Sequence, residues 1–164
     1  MILGITGHRP ASPEMGGYNI PNPTYDKIYK ALTDTIKALN PEKIISGMAL
    51  GTDQWAACVA IDLGIPFIAA VPFEGQESQW PKESQQKFKE LLEKAAEVVI
   101  VSPGGYAPEK MHLRDRWIVD NSDQLLGVWN GQRFGGTFGT IRYAEKEINK
   151  GREYKINIIS PEKL

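Results

Sequence analysis

The chain has 164 residues, 41% hydrophobic and 24% charged, which suits one soluble domain with a single buried core. Nineteen lysines and arginines stand against 20 aspartates and glutamates, and a net charge of -1 with a pI near 6.1 offers no broad basic surface, which argues against nucleic acid as the main partner. One cysteine, Cys58, excludes an internal disulfide and any multi-cysteine metal centre; no run is long and apolar enough to cross a membrane, and no leader pattern opens the chain, so the cytoplasm is the expected location.

Taken in order, Ile2 to Thr6 reads as a short apolar strand followed at once by Gly7, His8, Arg9 and Pro10. The stretch through Pro23, with Pro13, Gly16, Gly17 and Pro21, predicts a long loop, expected to fold over a ligand. Ile28, Ala31, Leu32, Ile36 and Leu39 form a helical stripe over Thr24 to Leu39, stopped by Asn40 and Pro41. Lys43 to Ser46 is a second strand, and Gly47 to Gly51 turns into a helix from Thr52 to Leu63 that Gly64 closes. Pro66 to Val71 is a third strand, leading into a polar loop through Glu74, Trp80 and Pro81. A helix from Glu83 to Ala95 and a fourth strand, Val98 to Val101, follow. The rest reads as a helix from about Met111, a strand from Leu125 to Trp129, a helix from about Phe138 and a last strand from Tyr154 to Ile159. Strands alternating with helical patterns predict an α/β, Rossmann-like, doubly wound and mostly parallel sheet of about six strands, helices on both faces, in one domain over residues 1–164.

In such sheets ligands bind beyond the carboxyl ends of the strands, where the strand order reverses. The unusual clusters of this chain all fall at strand ends: Thr6 to Pro10, Ser46 to Asp53, Pro72 to Trp80, Ser102 to Tyr106 and Trp129 to Thr140. From Met111 to Glu145 a polar helix bearing Arg114 and Arg116 leads through a strand to a loop with Gly135, Gly136, Thr137, Gly139 and Thr140 at the start of a helix. The first N–H groups of a helix lack internal partners and attract anions, and an arginine fork complements a phosphate or carboxylate. A phosphorylated small molecule is therefore the expected ligand.

Thr6 to Pro10, Ile45 to Ala57, Pro72 to Trp80 and Val119 to Gly127 together resemble the YpsA-like branch of the SLOG superfamily, over nearly the whole chain and in the same order. The Ser46, Gly47, Ala49, Gly51, Asp53 spacing is similar to an element of the DNA-processing protein A family. Met111, His112 and Arg114, with Ser122 and Asp123, resemble the LOG family of nucleoside 5′-monophosphate phosphoribohydrolases. The resemblance implies a Rossmann-like fold, a nucleotide-derived ligand, and Arg114 at the site. The LOG glycine loop also carries a glutamate, but at the corresponding registers this chain has Tyr143 or Thr140, with Glu145 out of step. That departure leans toward a sensor or regulatory module. N-glycosidic cleavage is the alternative, and single-stranded DNA binding a weaker one.

Cleavage would need a carboxylate beside the ribose, where positive charge develops as the base departs. Glu74 is chosen over Asp53 and Glu77 because it follows a strand directly, whereas an acid in the first helical turn also serves the helix dipole. The expected catalytic pair is Glu74 and Arg114. The expected ligand contacts are Gly7, His8, Arg9, Ser46, Gly47, Gly51, Asp53, Trp80, Tyr106, Arg114, Gly135, Gly136, Thr137 and Thr140, with Trp80 and Tyr106 able to stack on a base. Trp55, Trp117 and Trp129 are read as core, and Arg116 with Asp120, four apart, as a surface salt bridge. No metal and no cofactor are expected, and a homo-oligomer stays open.

Overall fold

The computed structural model describes residues 1–164, in which six strands and five α-helices alternate. The strands are β1 (Ile2–Gly7), β2 (Lys43–Ser46), β3 (Phe67–Val71), β4 (Glu97–Ile100), β5 (Gln124–Val128) and β6 (Lys155–Ile159). The helices are α1 (Pro23–Leu39), α2 (Thr52–Leu63), α3 (Lys82–Lys94), α4 (Pro108–Asp120) and α5 (Gly135–Asn149), with a final 3₁₀ turn at Pro161–Lys163. The sheet runs β4-β3-β2-β1-β5-β6, and every neighbouring pair is parallel. No helix is long and apolar enough to cross a membrane.

Alternation along each strand divides the core between the two faces. Leu3, Ile5, Ile44, Phe67, Leu126 and Val128 point to the side covered by α1, α2 and α3, while Leu125 joins α5 and Ile45 and Ala70 join α4 on the other. The predicted stripe of α1 packs as expected: Ile28, Leu32 and Ile36 are fully buried, each contributing about 1.5–3 kcal/mol of hydrophobic stabilisation. Asn22 starts that helix by accepting from the Tyr25 N–H at 2.9 Å, and Asn40 ends it in the left-handed conformation. Trp55 is buried, and Trp117 and Trp129 pack half-buried against the smaller clusters.

Three expectations shift. α4 begins at Pro108, because proline fits a first helical turn whose N–H would be unpaired anyway, and α5 begins at Gly135, which takes a φ of +90° open to glycine. The Arg116–Asp120 ion pair does not form. Arg116 lies over the Tyr143 ring, 5.4 Å from its centre, and Asp120 instead accepts from the Tyr143 hydroxyl at 2.7 Å.

The crossover through α4 is what creates a site. The chain winds outward from β1 to β4 and then returns over the sheet to lay β5 on the other side of β1. The loops after β1 and β5 therefore diverge to opposite faces and leave a crevice between them.

Candidate functional site

A cavity of about 330 Å³ opens at this crevice. The end of β1 supplies Thr6, Gly7 and His8, followed by Arg9 and Ser12. Ala49 and Asp53 enter from the β2–α2 turn, Met111, His112, Arg114 and Asp115 from α4, and Gln132, Gly135, Gly136 and Thr137 from the start of α5. The loop from Gly7 to Pro23 touches it through its first residues only. Met15, fully buried within the core beneath α1 and α2, holds the remainder down.

Phe134, the residue preceding α5, is extended and gives no side-chain cap, and the first turn holds no acid. The opening N–H groups of α5 are thus free of side-chain acceptors at the cavity wall, where the helix dipole is positive. No atom stands within 4 Å of the position a Gly136 Cβ would take, so this wall is open to a ligand.

Arg114 is only 3% exposed and is largely committed to the protein. Its Nη1 donates to the Gly47 carbonyl, to the Ala70 carbonyl at 3.3 Å and to Gln76 Oε1 at 3.4 Å, and its Nε to Asp115 at 2.9 Å. The guanidinium ties the ends of β2 and β3 to α4. Only Nη2 has no protein partner; as no fully buried side-chain polar atom is left unpaired, Nη2 keeps access to the cavity. Gly47 is required by this arrangement, since a Cβ there would stand 2.6 Å from Nη1.

Asp53, 8% exposed, faces the same space and accepts from the Ala49 N–H at 3.2 Å. Burial pushes its carboxyl from the ordinary 3.8 up to about 6; the nearby Arg114 charge opposes the rise and the Asp115 charge adds to it. His8 is 4% exposed, and its Nε2 sits 3.0 Å from Asn130 Oδ1. Burial lowers its pKa below 6.5, an effect partly offset by the Asn130 contact, so it is mainly neutral at pH 7. Arg9 is exposed, with no hydrogen bond or ion pair from its side chain, leaving its guanidinium free for an anion.

Of the residues expected from sequence, the cavity gathers Gly7, His8, Arg9, Asp53, Arg114, Gly135, Gly136 and Thr137. Ser46 is wholly buried behind it, its hydroxyl donating to the Asp53 carbonyl at 2.7 Å. Gly51 packs where a Cβ would strike the His8 carbonyl at 2.7 Å. Thr140 turns back on its own helix, bonding the Gly136 carbonyl at 3.0 Å. Glu74 is exposed and lies outside the cavity, its N–H bonded to the Gly104 carbonyl, because the loop after β3 turns it outward. Trp80 and Tyr106 line an adjoining cavity that shares Arg9. Sequence reading missed Ser12, His112, Asp115 and Gln132 as wall residues; His112 and Asp115 flank Arg114 within one helical turn, a signal that was available. No group of three or more His, Cys, Asp or Glu side chains is arranged to hold a metal ion.

The SPbeta prophage-derived protein YoqJ of Bacillus subtilis (strain 168) is 31% identical over 146 residues, spanning 76% of this chain and 84% of that protein. DNA processing protein A from Streptococcus pneumoniae superposes with a TM-score of 0.65 at 20% identity, covering 94% of this chain but 49% of that one, so this chain spans about half its length. DNA processing protein A from Helicobacter pylori, described for its single-stranded DNA binding mode, gives a TM-score of 0.60 at 20% identity over 89% of this chain and 61% of that one. At those identities the two structures speak for the Rossmann-like fold alone. The model of the YspA SLOG family matches residues 3–164, effectively the whole chain, and the chain belongs to that family.

Proposed function

We propose that this protein binds a nucleotide or nucleotide-derived phosphorylated small molecule in the β1/β5 crevice and works as a sensor or regulatory module. The observation that carries the reading is the uncapped N-terminus of α5 opening into the cavity that the free Arg9 guanidinium and Arg114 also line. Backbone N–H groups and a guanidinium together supply donors for phosphate oxygens. Mass spectrometry of small molecules retained by the purified protein identifies the ligand class. Calorimetry with nucleoside 5′-monophosphates then tests the site: Arg9→Ala should weaken binding tenfold or more while leaving stability unchanged. Equal affinity in the variant removes Arg9 from the site.

A second reading, N-glycosidic cleavage of a nucleoside 5′-monophosphate, is favoured by one feature. The Asp53 carboxylate faces the same cavity as the start of α5. There it would stabilise charge at the sugar or activate a water. Release of free base and ribose 5-phosphate by the parent, lost in Asp53→Asn with binding retained, would establish it. Release lost instead in Glu74→Gln would restore Glu74 to the catalytic role. Single-stranded DNA is a third and weaker ligand class, supported by likeness to a DNA processing protein A and opposed by a net charge of -1.

A further inference from the structure

We infer that the anion site continues past Arg9 into an aromatic compartment that seats the planar ring of the ligand, so that the chain recognises a nucleoside phosphate at both ends. This deepens the nucleotide reading and rests on it. A second cavity, of about 480 Å³, adjoins the first, and Arg9 and Met111 line both. Its walls carry Phe73, Trp80 and Tyr106, and Arg9 is its single charged residue.

Tyr106 is the telling residue. The residue is 71% exposed, yet the loop that bears it is fastened from two sides. The Glu74 N–H donates to the Gly104 carbonyl at 3.0 Å, and Lys110 Nζ donates to the Pro103 and Gly105 carbonyls at 3.1 and 2.8 Å. Phe73 meets the ring edge-on, with centres 5.5 Å apart and planes at 80°, and fixes one side of it. An aromatic face held open to water by a tied loop is a stacking surface already set in position, so little ordering is lost when a flat heterocycle covers it. Trp80 lines the same cavity, with its own edge-on support from Phe88 at 5.4 Å. The Gln79 amide has no hydrogen-bond partner in the protein and lines the compartment, so it can both donate to and accept from the edge of a base. Arg9, at the junction, has a planar guanidinium that can fork onto phosphate and stack against a ring.

The test is calorimetry on the full chain with AMP, GMP, CMP and UMP, each compared with ribose 5-phosphate, which carries the phosphate and sugar without a base. At least one monophosphate should bind tenfold or more tighter than ribose 5-phosphate, the gain that one stacked base brings. Tyr106→Ala should erase that preference and leave ribose 5-phosphate affinity unchanged, and Tyr106→Phe should keep it. As the ring is exposed, neither change threatens folding. Equal binding of all five compounds, or a preference that survives Tyr106→Ala, would overturn the aromatic seat while leaving the phosphate site standing. If none of the five binds the folded protein, the phosphate reading falls, and the seat with it.

Discussion

Replacing Asp53 by asparagine separates the electrostatic cost of the site from its packing. The Asp53 carboxyl rises from 3.8 to about 6 on folding, chiefly through burial. At about 1.4 kcal/mol for each unit, the native state bears a penalty of roughly 3 kcal/mol once the group is ionised. The folded chain holds this proton more tightly than the unfolded one, so the contribution is harmless below about pH 4 and grows as the pH rises through about 6, where stability falls. Asparagine has the same shape, keeps an oxygen for the Ala49 N–H and carries no charge. Urea unfolding should find Asp53→Asn more stable than the parent by up to about 3 kcal/mol near pH 7.5 and nearly equal near pH 4. The loss of one anion from the wall should also tighten nucleotide binding at neutral pH. A stability difference that does not change with pH, or a variant less stable than the parent at neutral pH, would refute the reasoning.

Gly47→Ala should cost about 2–5 kcal/mol in thermal or urea unfolding, because its Cβ would stand 2.6 Å from Arg114 Nη1 and drive a buried guanidinium off its carbonyl acceptors; a neutral effect would contradict that bonding. Arg114→Ala should destabilise by a similar amount and fail to separate binding from folding, since Asp115 and the Gly47 and Ala70 carbonyls lose their bonds to the guanidinium; a fully stable variant with weakened binding would instead make Arg114 chiefly a ligand residue. Glu74→Gln should stay within about 0.5 kcal/mol of the parent in stability and leave nucleotide affinity unchanged, as expected for an exposed side chain outside the cavity; calorimetry showing a tenfold loss would return Glu74 to the site.

The strands and their order of appearance were legible because each apolar run is short and ends in glycine, proline or polar residues, and each of the first five is followed by a helical stretch. Strand order in space was not, because nothing local records that β5 pairs with β1. The crevice could be expected only from the general behaviour of such sheets. Gly135, Gly136 and Thr137 could be read as an anion-binding helix start, although glycines blur where a helix begins, and α5 starts earlier than its apolar pattern does. Arg114 was legible as a site residue but not in its role. A sequence names the arginine, while only the fold shows that Nη1 and Nε are committed to the protein and Nη2 alone is left over. The choice of Glu74 over Asp53 rested on position after a strand, and no local signal distinguishes a loop carboxylate turned outward from one turned in. Asp53 was expected as a ligand contact and does line the cavity, but its ordinary explanation in the helix dipole turned the choice of carboxylate toward Glu74.

The most direct test of the account is to follow the backbone amides at the start of α5 while titrating the protein with a nucleoside 5′-monophosphate. If phosphate docks on the uncapped helix end, the Gly135, Gly136 and Thr137 amide resonances should show the largest shifts, saturating together with those of Arg9. Saturable binding with those amides unmoved, and the shifts gathered elsewhere, would contradict the central claim.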